Sequence, residues 1–505
     1  MHTVQLKLDT TKYDKCILAN RFFALFHVHN VCVKRAIKLL NRLNNDKYYQ
    51  TCLKEYIELN KKDKRTSVEN KRRKHLSNEM KRIRQSIGLS ETELQSYMKV
   101  CGKQFNKKLS SSQIQKEVTR VYQGVEKILF SNGKRLHFKC ARDFDTLPGK
   151  NPTNGIIFDK NTMSIKYLEL EMKCKLPKKD DDFDYIMESL SHKISYCEIS
   201  RKMFNNGFHY YVIIYLADDS PKKEIISNGS TMGIDPGVST FAGVSDRNVF
   251  LEELAPDCKK YDKKIIELQQ KMENSKRQSN PNKYNDDGTI KKGNKDKWIF
   301  TNTYYKLRDQ LKTLYRKKSA YTKCMHRNLC NRLMKDSNVF IIEEMNFSSL
   351  QKRTKKTERQ EKESEIELKD GTKKKIKKFK KKKRFGRSIN DRSPALFIQI
   401  LEEKCKQNGF QLEYINTRTY KASQYNHETG EYEKIPLSQR WKEICGEPVQ
   451  RDLYSAFLAS NPNLTFEGPD KDICEYEFRH FVEMQNKLIE KMKKENISYK
   501  TCFGF

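Results

Sequence analysis

An aspartate, Asp235, stands where an apolar run meets a turn sequence. The run covers residues 231–234 and a second apolar run covers residues 240–244, which predicts two short strands joined by a tight turn at Asp235-Pro-Gly237, with a positive φ at the glycine. A carboxylate at a strand end is held by a rigid sheet yet faces solvent, as a metal-binding acid must. An aspartate that only shapes the turn is the alternative left open by this stretch.

Two later acids occupy comparable positions. Residues 339–342 form a continuous apolar run, typical of a strand buried on both faces, and Glu343 ends it. Asp452 opens a predicted helix with apolar residues in its first turns. Three such carboxylates can hold two Mg²⁺ ions about 4 Å apart, which clamp the attacking water and the leaving oxygen of a phosphodiester. The pattern predicts a two-metal phosphodiesterase, with Mn²⁺ as a substitute for Mg²⁺.

The stretches around these acids resemble the three separated RuvC motifs of TnpB, the transposon-encoded nuclease, and of compact type V CRISPR effectors. The likeness covers about residues 131–460 and includes two upstream stretches, 138–149 and 196–202. The three motifs are Gly233-Ile-Asp-Pro-Gly237, Ile341-Ile-Glu-Glu-Met-Asn346 and Arg451-Asp452.

This resemblance implies an RNA-guided DNA endonuclease with an RNase H-like RuvC core. Asp235, Glu343 and Asp452 would be its catalytic acids and Mg²⁺ ligands, and Glu344 falls where the family usually has a non-catalytic Asp. Guide RNA and a double-stranded DNA target would be its partners, whether the RNA comes from a transposon end or a CRISPR array.

The chain departs from the family between the second and third motifs. The family usually carries two zinc-binding CxxC pairs there, whereas Cys445 is the only cysteine of residues 417–446 and Tyr425 stands near the place of the first ligand. We therefore expect no zinc. Three residues of the usual third motif are also replaced, by Gln450, Tyr454 and Ser455.

Charge and cysteine content narrow the classes of partner and compartment. The 505 residues carry 101 basic and 65 acidic side chains, a net charge of +36, which favours binding to nucleic acid. The fourteen cysteines are scattered and form no CxxC, as in a reducing compartment. No apolar run approaches 18 residues, so we expect no membrane partner. A prokaryotic cytosol or nucleoid is expected, or the nucleus if the source is eukaryotic.

A change from strand to helix to strand patterns divides the chain. The expected fold class is α/β plus β-barrel: an RNase H-like RuvC nuclease core with an N-terminal wedge-like β-barrel domain that a helical recognition insertion interrupts. The C-terminal helix would serve packing or a homodimer. The predicted domains are the barrel (1–17 and 132–228), the helical insertion (18–131), the nuclease (229–416 and 447–470), a degenerate zinc-finger-like insert that binds target nucleic acid (417–446) and the C-terminal helix (471–505).

A lysine-rich segment lies between the second and third motifs. Residues 373–384 contain ten basic residues in twelve, too few apolar ones to fold alone, and we expect a mobile loop that binds phosphates without reading sequence. A disordered linker or a localisation-type basic tract is the alternative. The candidate nucleic-acid-binding residues are Lys373, Lys374, Lys375, Lys377, Lys378, Lys380, Lys381 and Arg451.

Two other functions remain open from the sequence. A protein-only RuvC-type nuclease or resolvase needs the same acids, because fold and triad do not specify how the target is chosen. A nuclease-dead RNA-guided repressor would fit the altered residues around Asp452. A classical transposase would need an end-specific DNA-reading module, and the sequence shows none.

Overall fold

The structure, a computed structural model, describes the chain in two compact units, Met1–Pro221 (unit 1) and Lys222–Phe505 (unit 2). The residues outside the description are 63, 106, 132, 205–206, 222–223, 287, 292, 294–295, 352–358, 368–372, 380–384, 437, 496–502 and 505. For residues 181, 359–367, 373, 374 and 376–379 the backbone is described and the side chain is not.

Unit 1 combines an antiparallel sheet with helices that lie mostly between its first and second strands in the sequence. The elements are β1 (His2–Leu8), α1 (Lys12–Asn44), α2 (Lys47–Asn60), α3 (Ser67–Ser86), α4 (Glu91–Cys101), α5 (Ser111–Phe130), β2 (Thr146–Leu147), β3 (Ile156–Asp159), β4 (Ser164–Tyr167), β5 (Leu170–Lys175), α6 (Asp180–Ser191), β6 (Ile194–Phe204) and β7 (Gly207–Leu216).

The seven strands pair in the order β2-β6-β7-β1-β5-β4-β3. β1 lies in the middle because its first residues pair with β7 and its last ones with β5. β2 and β3 form the two edges, and the described residues contain no ladder between them, so the predicted closed barrel is not confirmed. The first helix begins at Lys12, six residues before the predicted insertion, because Thr11 caps it through a capping box with Asp14.

The two upstream stretches of the family resemblance pack against each other in unit 1. β2 pairs with β6, and the buried Arg201 of β6 donates from Nε to the carbonyl of Phe144 at 3.0 Å and from Nη2 to that of Ala141 at 2.7 Å. A Cβ at Gly149 would lie 2.1 Å from the carbonyl oxygen of Cys197, so this approach requires glycine. The likeness therefore marks a packed element of unit 1.

Among the described helices, α1 alone is long and apolar enough to cross a membrane by length and composition. The expectation that no apolar run approaches 18 residues missed this helix, since polar residues such as Arg21 and Lys34 interrupt its apolar ones. Half of its most apolar window is buried, and Phe22 and Leu25 belong to the core of unit 1. A core helix passes the same test of length and composition.

Unit 2 is built around a mixed sheet. Its elements are β8 (Ser230–Pro236), β9 (Thr240–Ser245), β10 (Val249–Glu253), α7 (Asp262–Ser279), α8 (Asn302–Asp336), β11 (Ser337–Glu343), α9 (Phe347–Leu350), β12 (Arg359–Glu367), β13 (Lys373–Phe379), α10 (Gly386–Arg392), α11 (Pro394–Asn408), β14 (Gln411–Ile415), β15 (Trp441–Ile444), β16 (Glu447–Gln450), α12 (Arg451–Ser460) and α13 (Lys471–Lys494).

The five strands of this sheet follow the order β10-β9-β8-β11-β14. β8, β9 and β10 pair antiparallel, whereas β11 is parallel to both β8 and β14. Side chains of α8 and α11 share one hydrophobic core with one face of the sheet, and those of α12 and α13 share a second core with the other face. Each strand of the sheet's centre is thus buried on both sides, as the continuous apolar run before Glu343 predicted.

The turn after Asp235 differs from its prediction in two respects. Both strands are confirmed, but β8 continues through Pro236 and Gly237 does not adopt a positive φ. A Cβ at Gly237 would lie 2.7 Å from Oγ1 of Thr240. Glycine is therefore needed there for space rather than for backbone conformation.

The lysine-rich segment is not the loop that was predicted. Residues 373–379 form β13, which pairs antiparallel with β12. Glu363, Glu365 and Glu367 stand in register with Lys377, Lys375 and Lys373. The lysine segment has too few apolar residues for a core, but its backbone N–H and C=O groups find ladder partners in β12, which precedes it in the sequence. Residues 380–384 of the segment lie outside the described residues.

A glycine-to-alanine substitution at Gly233 should weaken unit 2, because the added Cβ would lie 2.0 Å from the carbonyl oxygen of Ala456 and 2.3 Å from the amide nitrogen of Ser460 in α12. We expect Gly233→Ala to lower the free energy of unfolding by about 1–3 kcal/mol or more, as overpacking does. Urea unfolding followed by circular dichroism measures it. Gly468→Ala is the matched control, since its nearest atoms are 3.7 Å away. Equal stability of the two variants would contradict the close contact of α12 with β8.

Candidate active site

Asp235 and Glu343 lie side by side at the carboxyl ends of two neighbouring parallel strands. Ile234 of β8 pairs with Ile342 of β11, so the next residue of each strand is an acid. Both isoleucines belong to the core shared with α8 and α11. Because side chains alternate along a strand, the two acids lie on the opposite face, which α12 covers. This edge of an open α/β sheet is where such folds bind their ligands.

Asp452 reaches the same edge because α12 packs directly on β8. Gly233 removes the side chain that would otherwise separate the strand from Ala456, and α12 begins one residue before Asp452. The helix starts at a fixed point, since the side chain of the fully buried Gln450 accepts a hydrogen bond from Leu453 N at 2.8 Å. Gln450, one of the three departures in the third motif, thus acts as the helix cap.

Burial raises the pKa of all three carboxyl groups, and the other two acids add to this effect at Asp235. Burial raises the pKa of Asp235 well above its usual range, and the negative charges of Asp452 and Glu343 raise it further. Burial also raises the pKa of Glu343 and that of Asp452. Each side chain keeps part of its surface open to solvent. Like charges close together in a partly desolvated site favour protonation or a bound cation.

Two arginines partly offset this negative charge. Arg440 lies 3.6 Å from Asp452, with 27% and 18% of the two side chains exposed, and Arg440 and Arg451 both lower the pKa of Asp452. Arg451, a predicted nucleic-acid contact, donates from Nη1 to the carbonyl of Pro436 at 3.2 Å. Its role toward nucleic acid stays a prediction.

The chemistry of the three acids suits hard divalent cations. Among the described residues no group of three or more His, Cys, Asp or Glu side chains is arranged to hold one ion. Mg²⁺ takes one or two carboxylates together with waters and phosphate oxygens, so two ions divided among three acids need no such group. A bound cation would also offset the burial and the repulsion that raise the pKa of Asp235. The donor set therefore fits Mg²⁺ or Mn²⁺.

Residues of the segment 417–446 make contacts around the acids that no pattern in the sequence predicts. The backbone of Ala422 hydrogen-bonds the Glu343 carboxylate and opposes the rise in its pKa. Oη of Tyr420, fully buried, donates to the carbonyl of Leu458 in α12. Burial lowers the pKa of Lys442 to about 8, and its ammonium donates to the carbonyl of Ser423 at 3.1 Å. A backbone amide cannot be read from residue type, so these contacts needed the structure.

Glu344 differs from its neighbour Glu343 in every respect that bears on the acids. It is exposed, its amide nitrogen donates to the carbonyl of Ile415, and it lines a separate cleft of about 530 Å³ with Asn346 and Arg418. It does not contribute to the raised pKa of Asp235. The implied non-catalytic role of Glu344 stays a prediction, with a geometry that agrees with it.

The candidate lysines lie in the β12–β13 hairpin or beyond it. Lys375 is exposed, and the backbones of Lys373, Lys374, Lys377 and Lys378 lie in β13. Lys380 and Lys381 lie outside the described residues. Their contacts with nucleic acid stay predictions.

Neutralising Asp235 should stabilise the metal-free protein. The folded state binds a proton on Asp235 more tightly than the unfolded chain, so the cost of its charge is complete at alkaline pH and disappears as the pH falls toward the ordinary aspartate range. We expect Asp235→Asn in EDTA at pH 8 to melt roughly 2–4 °C above wild type, the shift that about 1 kcal/mol gives a unit of comparable size.

This gain should shrink as the pH is lowered toward 4, and Mg²⁺ should raise the melting temperature of wild type more than that of Asp235→Asn. Glu344→Gln, which removes an exposed charge next to the site, serves as the control and should leave the melting temperature unchanged. An Asp235→Asn protein less stable than wild type at pH 8 in EDTA would contradict the repulsion.

The chain is similar to solved structures but matches no protein-family model and no curated protein. The chain is similar to a Cas12f1 in complex with sgRNA and target DNA, with a TM-score of 0.41 and 12% identity over 91% of this chain and 98% of that chain. It is also similar to the protein of a CRISPR-Cas12f ternary complex, with a TM-score of 0.29 and 12% identity over 92% of this chain and 99% of that one. Both neighbours are Cas12f complexes.

Proposed function

We propose that the protein is an RNA-guided DNA endonuclease of the TnpB and compact type V CRISPR effector kind, which hydrolyses DNA at Asp235, Glu343 and Asp452. The observation that carries this proposal is the meeting of the three motif acids. They are separated by 108 and 109 residues in the sequence, yet they adjoin at one sheet edge and the other two raise the pKa of Asp235. Perturbed carboxylates in such a position are typical of functional sites.

The chain's own residues would orient the acids for two-metal hydrolysis. The strands β8 and β11 fix Asp235 and Glu343, the Ala422 amide orients the Glu343 carboxylate, and the capped start of α12 holds Asp452. Mg²⁺ bound by these acids would supply an activated water and offset charge on the leaving oxygen. The mixed sheet, with three antiparallel strands followed by two parallel ones, agrees with the RNase H-like RuvC core that the resemblance implies.

Guide RNA is proposed as the element that selects the target. The motif resemblance supports it, and the net charge of +36 suits a protein that holds several nucleic-acid strands at once. Base pairing would then read the sequence, whereas the protein would read a short flanking motif and the shape of the duplex.

A nuclease-dead RNA-guided repressor is the second candidate, favoured by one observation. Arg440 lies 3.6 Å from Asp452 and already offsets part of its charge, so the acids have a protein-supplied counter-charge. A protein-only nuclease would instead use the same acids without RNA. Cleavage and RNA content together distinguish the three.

Protein purified from its native locus should carry a discrete RNA with a constant scaffold and a variable end, detected by sequencing. The RNA-loaded protein should cut matching DNA with Mg²⁺. Glu343→Gln should reduce cleavage by more than about 100-fold, since even partners of metal ligands cost 10–100-fold, and should leave DNA binding near wild type. Glu344→Gln, the neighbouring acid, should cut like wild type.

Each contrary outcome selects another function. Mg²⁺-dependent cutting without enriched RNA would establish the protein-only nuclease. Guided binding without cutting by wild type would establish the repressor. Equal loss of cleavage and binding in Glu343→Gln would contradict its assigned role in the chemistry.

The lysines of the β12–β13 hairpin should contribute phosphate contacts. Replacing Lys374, Lys375, Lys377 and Lys378 by glutamine should weaken DNA binding and reduce the slope of log K against log salt by about 0.9 for each lysine that had neutralised a duplex phosphate. A matched loss of four charges on α13 should leave that slope unchanged. The control positions are Lys487, Lys491, Lys493 and Lys494, all exposed. Equal slopes in the two variants would show that only the overall charge matters.

A further inference from the structure

We propose that Tyr454 and His427 form a metal-free latch that fixes the segment 417–446 against α12 and thereby positions Asp452 and Glu343. The inference rests on the proposed function for the role of the two acids. It assigns Tyr454 as a positioning residue, two positions after Asp452 and at one of the places where the third motif departs from the family.

Two hydrogen bonds join the pair. Oη of Tyr454 accepts from the backbone N–H of His427 at 3.2 Å and lies 2.7 Å from Nδ1 of its ring. Both residues are fully buried. Because the N–H group can only donate, the hydroxyl is free to donate its own proton to the ring, and two bonds with complementary directions define one geometry.

The ring of His427 is held as the neutral tautomer that this geometry needs. Burial lowers the pKa of His427, so Nδ1 is available as an acceptor. The ring proton then lies on Nε2, 4.0 Å from Sγ of Cys445. The ring also packs on Phe478 of α13, with centroids 4.8 Å apart. Tyr454, His427 and Cys445 thus form a chain from α12 to the β15–β16 turn.

The backbone conformation of the β15–β16 turn places Cys445 at this contact. Cys445 and Gly446 have φ of 51° and 75°, the two positive values of a two-residue turn between antiparallel strands. The amide nitrogen of Cys445 donates to Oε2 of Glu428 at 2.8 Å, next to His427 in the sequence. The segment 417–446 is therefore closed by side chains at the place where the resembled family has zinc.

The latch bears on two of the three acids. Tyr454 lies within the first turn and a half of α12, the element that places Asp452, whereas the latched segment supplies the Ala422 backbone bond to Glu343. Loosening the segment from α12 would free both carboxylates from the arrangement that binds cations. The structural alternative is that the pair only adds stability, as any buried hydrogen-bonded pair does.

The test compares Tyr454→Phe with Tyr167→Phe in the full-length protein. Both variants remove one hydroxyl from a fully buried tyrosine, and Oη of Tyr167 donates to Oε1 of Gln113 at 2.9 Å in unit 1. Mn²⁺ affinity is measured by electron paramagnetic resonance, and the Mn²⁺ concentration for half-maximal cleavage is measured with loaded protein. We expect both variants to melt at lower temperature, and Tyr454→Phe alone to need about 10-fold more Mn²⁺, the loss typical of residues that orient metal ligands.

Variants at His427 test the same contact from its other side. His427→Asn keeps an acceptor near the position of Nδ1 and should retain wild-type Mn²⁺ affinity, whereas His427→Phe should lose it. The double variant Tyr454→Phe/His427→Phe should be no weaker than either single variant, because the two residues act as one latch. Purified wild type should contain no stoichiometric zinc by elemental analysis.

The outcomes separate this inference from the proposed function. Wild-type Mn²⁺ affinity in Tyr454→Phe, or in His427→Phe if Tyr454→Phe does not fold, overturns the latch and leaves the nuclease intact. One zinc per chain also overturns it. If wild type shows no Mn²⁺ binding that Asp235→Asn abolishes, the proposed function is overturned, whatever the latch variants do.

Discussion

Packing of α12 directly on β8 brings like charges together, and much of unit 2 serves to keep them there. The contact exists because Gly233 leaves no side chain between the strand and Ala456. Parallel pairing of β8 with β11 then places Glu343 next to Asp235. Burial of the Asp235 carboxylate and its repulsion by Asp452 and Glu343 oppose the arrangement, since both raise the pKa of Asp235. The hydrophobic cores on the two faces of the sheet must therefore hold the carboxylates against a force that a cation would remove.

The segment 417–446 completes this arrangement from one side. A chain that enters from β14 and returns to α12 has both ends next to the acids, so fixing its middle fixes its contacts with them. Tyr420 of the segment donates a hydrogen bond to the carbonyl of Leu458 in α12. Tyr454 of α12 in turn bonds the ring of His427 in the segment. Directional hydrogen bonds between buried groups can define a geometry as tightly as metal ligands do, provided that every member has a partner.

Local patterns in the sequence predict that Asp235 and Glu343 lie at strand ends. They do not predict the contacts that surround these acids. Asp235 and Glu343 end apolar runs, and run length and turn chemistry are properties of adjacent residues. The Ala422 bond to Glu343 comes from a backbone amide that every residue type except proline carries. The β12–β13 ladder is a backbone pairing between two segments of the chain, which the composition of the lysine segment alone does not specify, so a loop was wrongly indicated for residues 373–379. The closed barrel of unit 1 depends on whether two distant edges meet, which strand periodicity does not specify.

The excess of positive charge in the chain does not by itself neutralise the acids. Charges in solvent are screened over about 8–10 Å, so most of the 101 basic side chains have little effect on this site. Arg440 and Arg451 are the cations that lower the pKa of Asp235. A DNA phosphate that approached the acids would compete for the same two guanidinium groups. Under the proposed function, substrate entry would thus remove counter-charge from the carboxylates just as phosphate oxygens become available to complete a metal's coordination. The uncompensated negative charge at the carboxylates and the number of oxygens available to a cation would increase together.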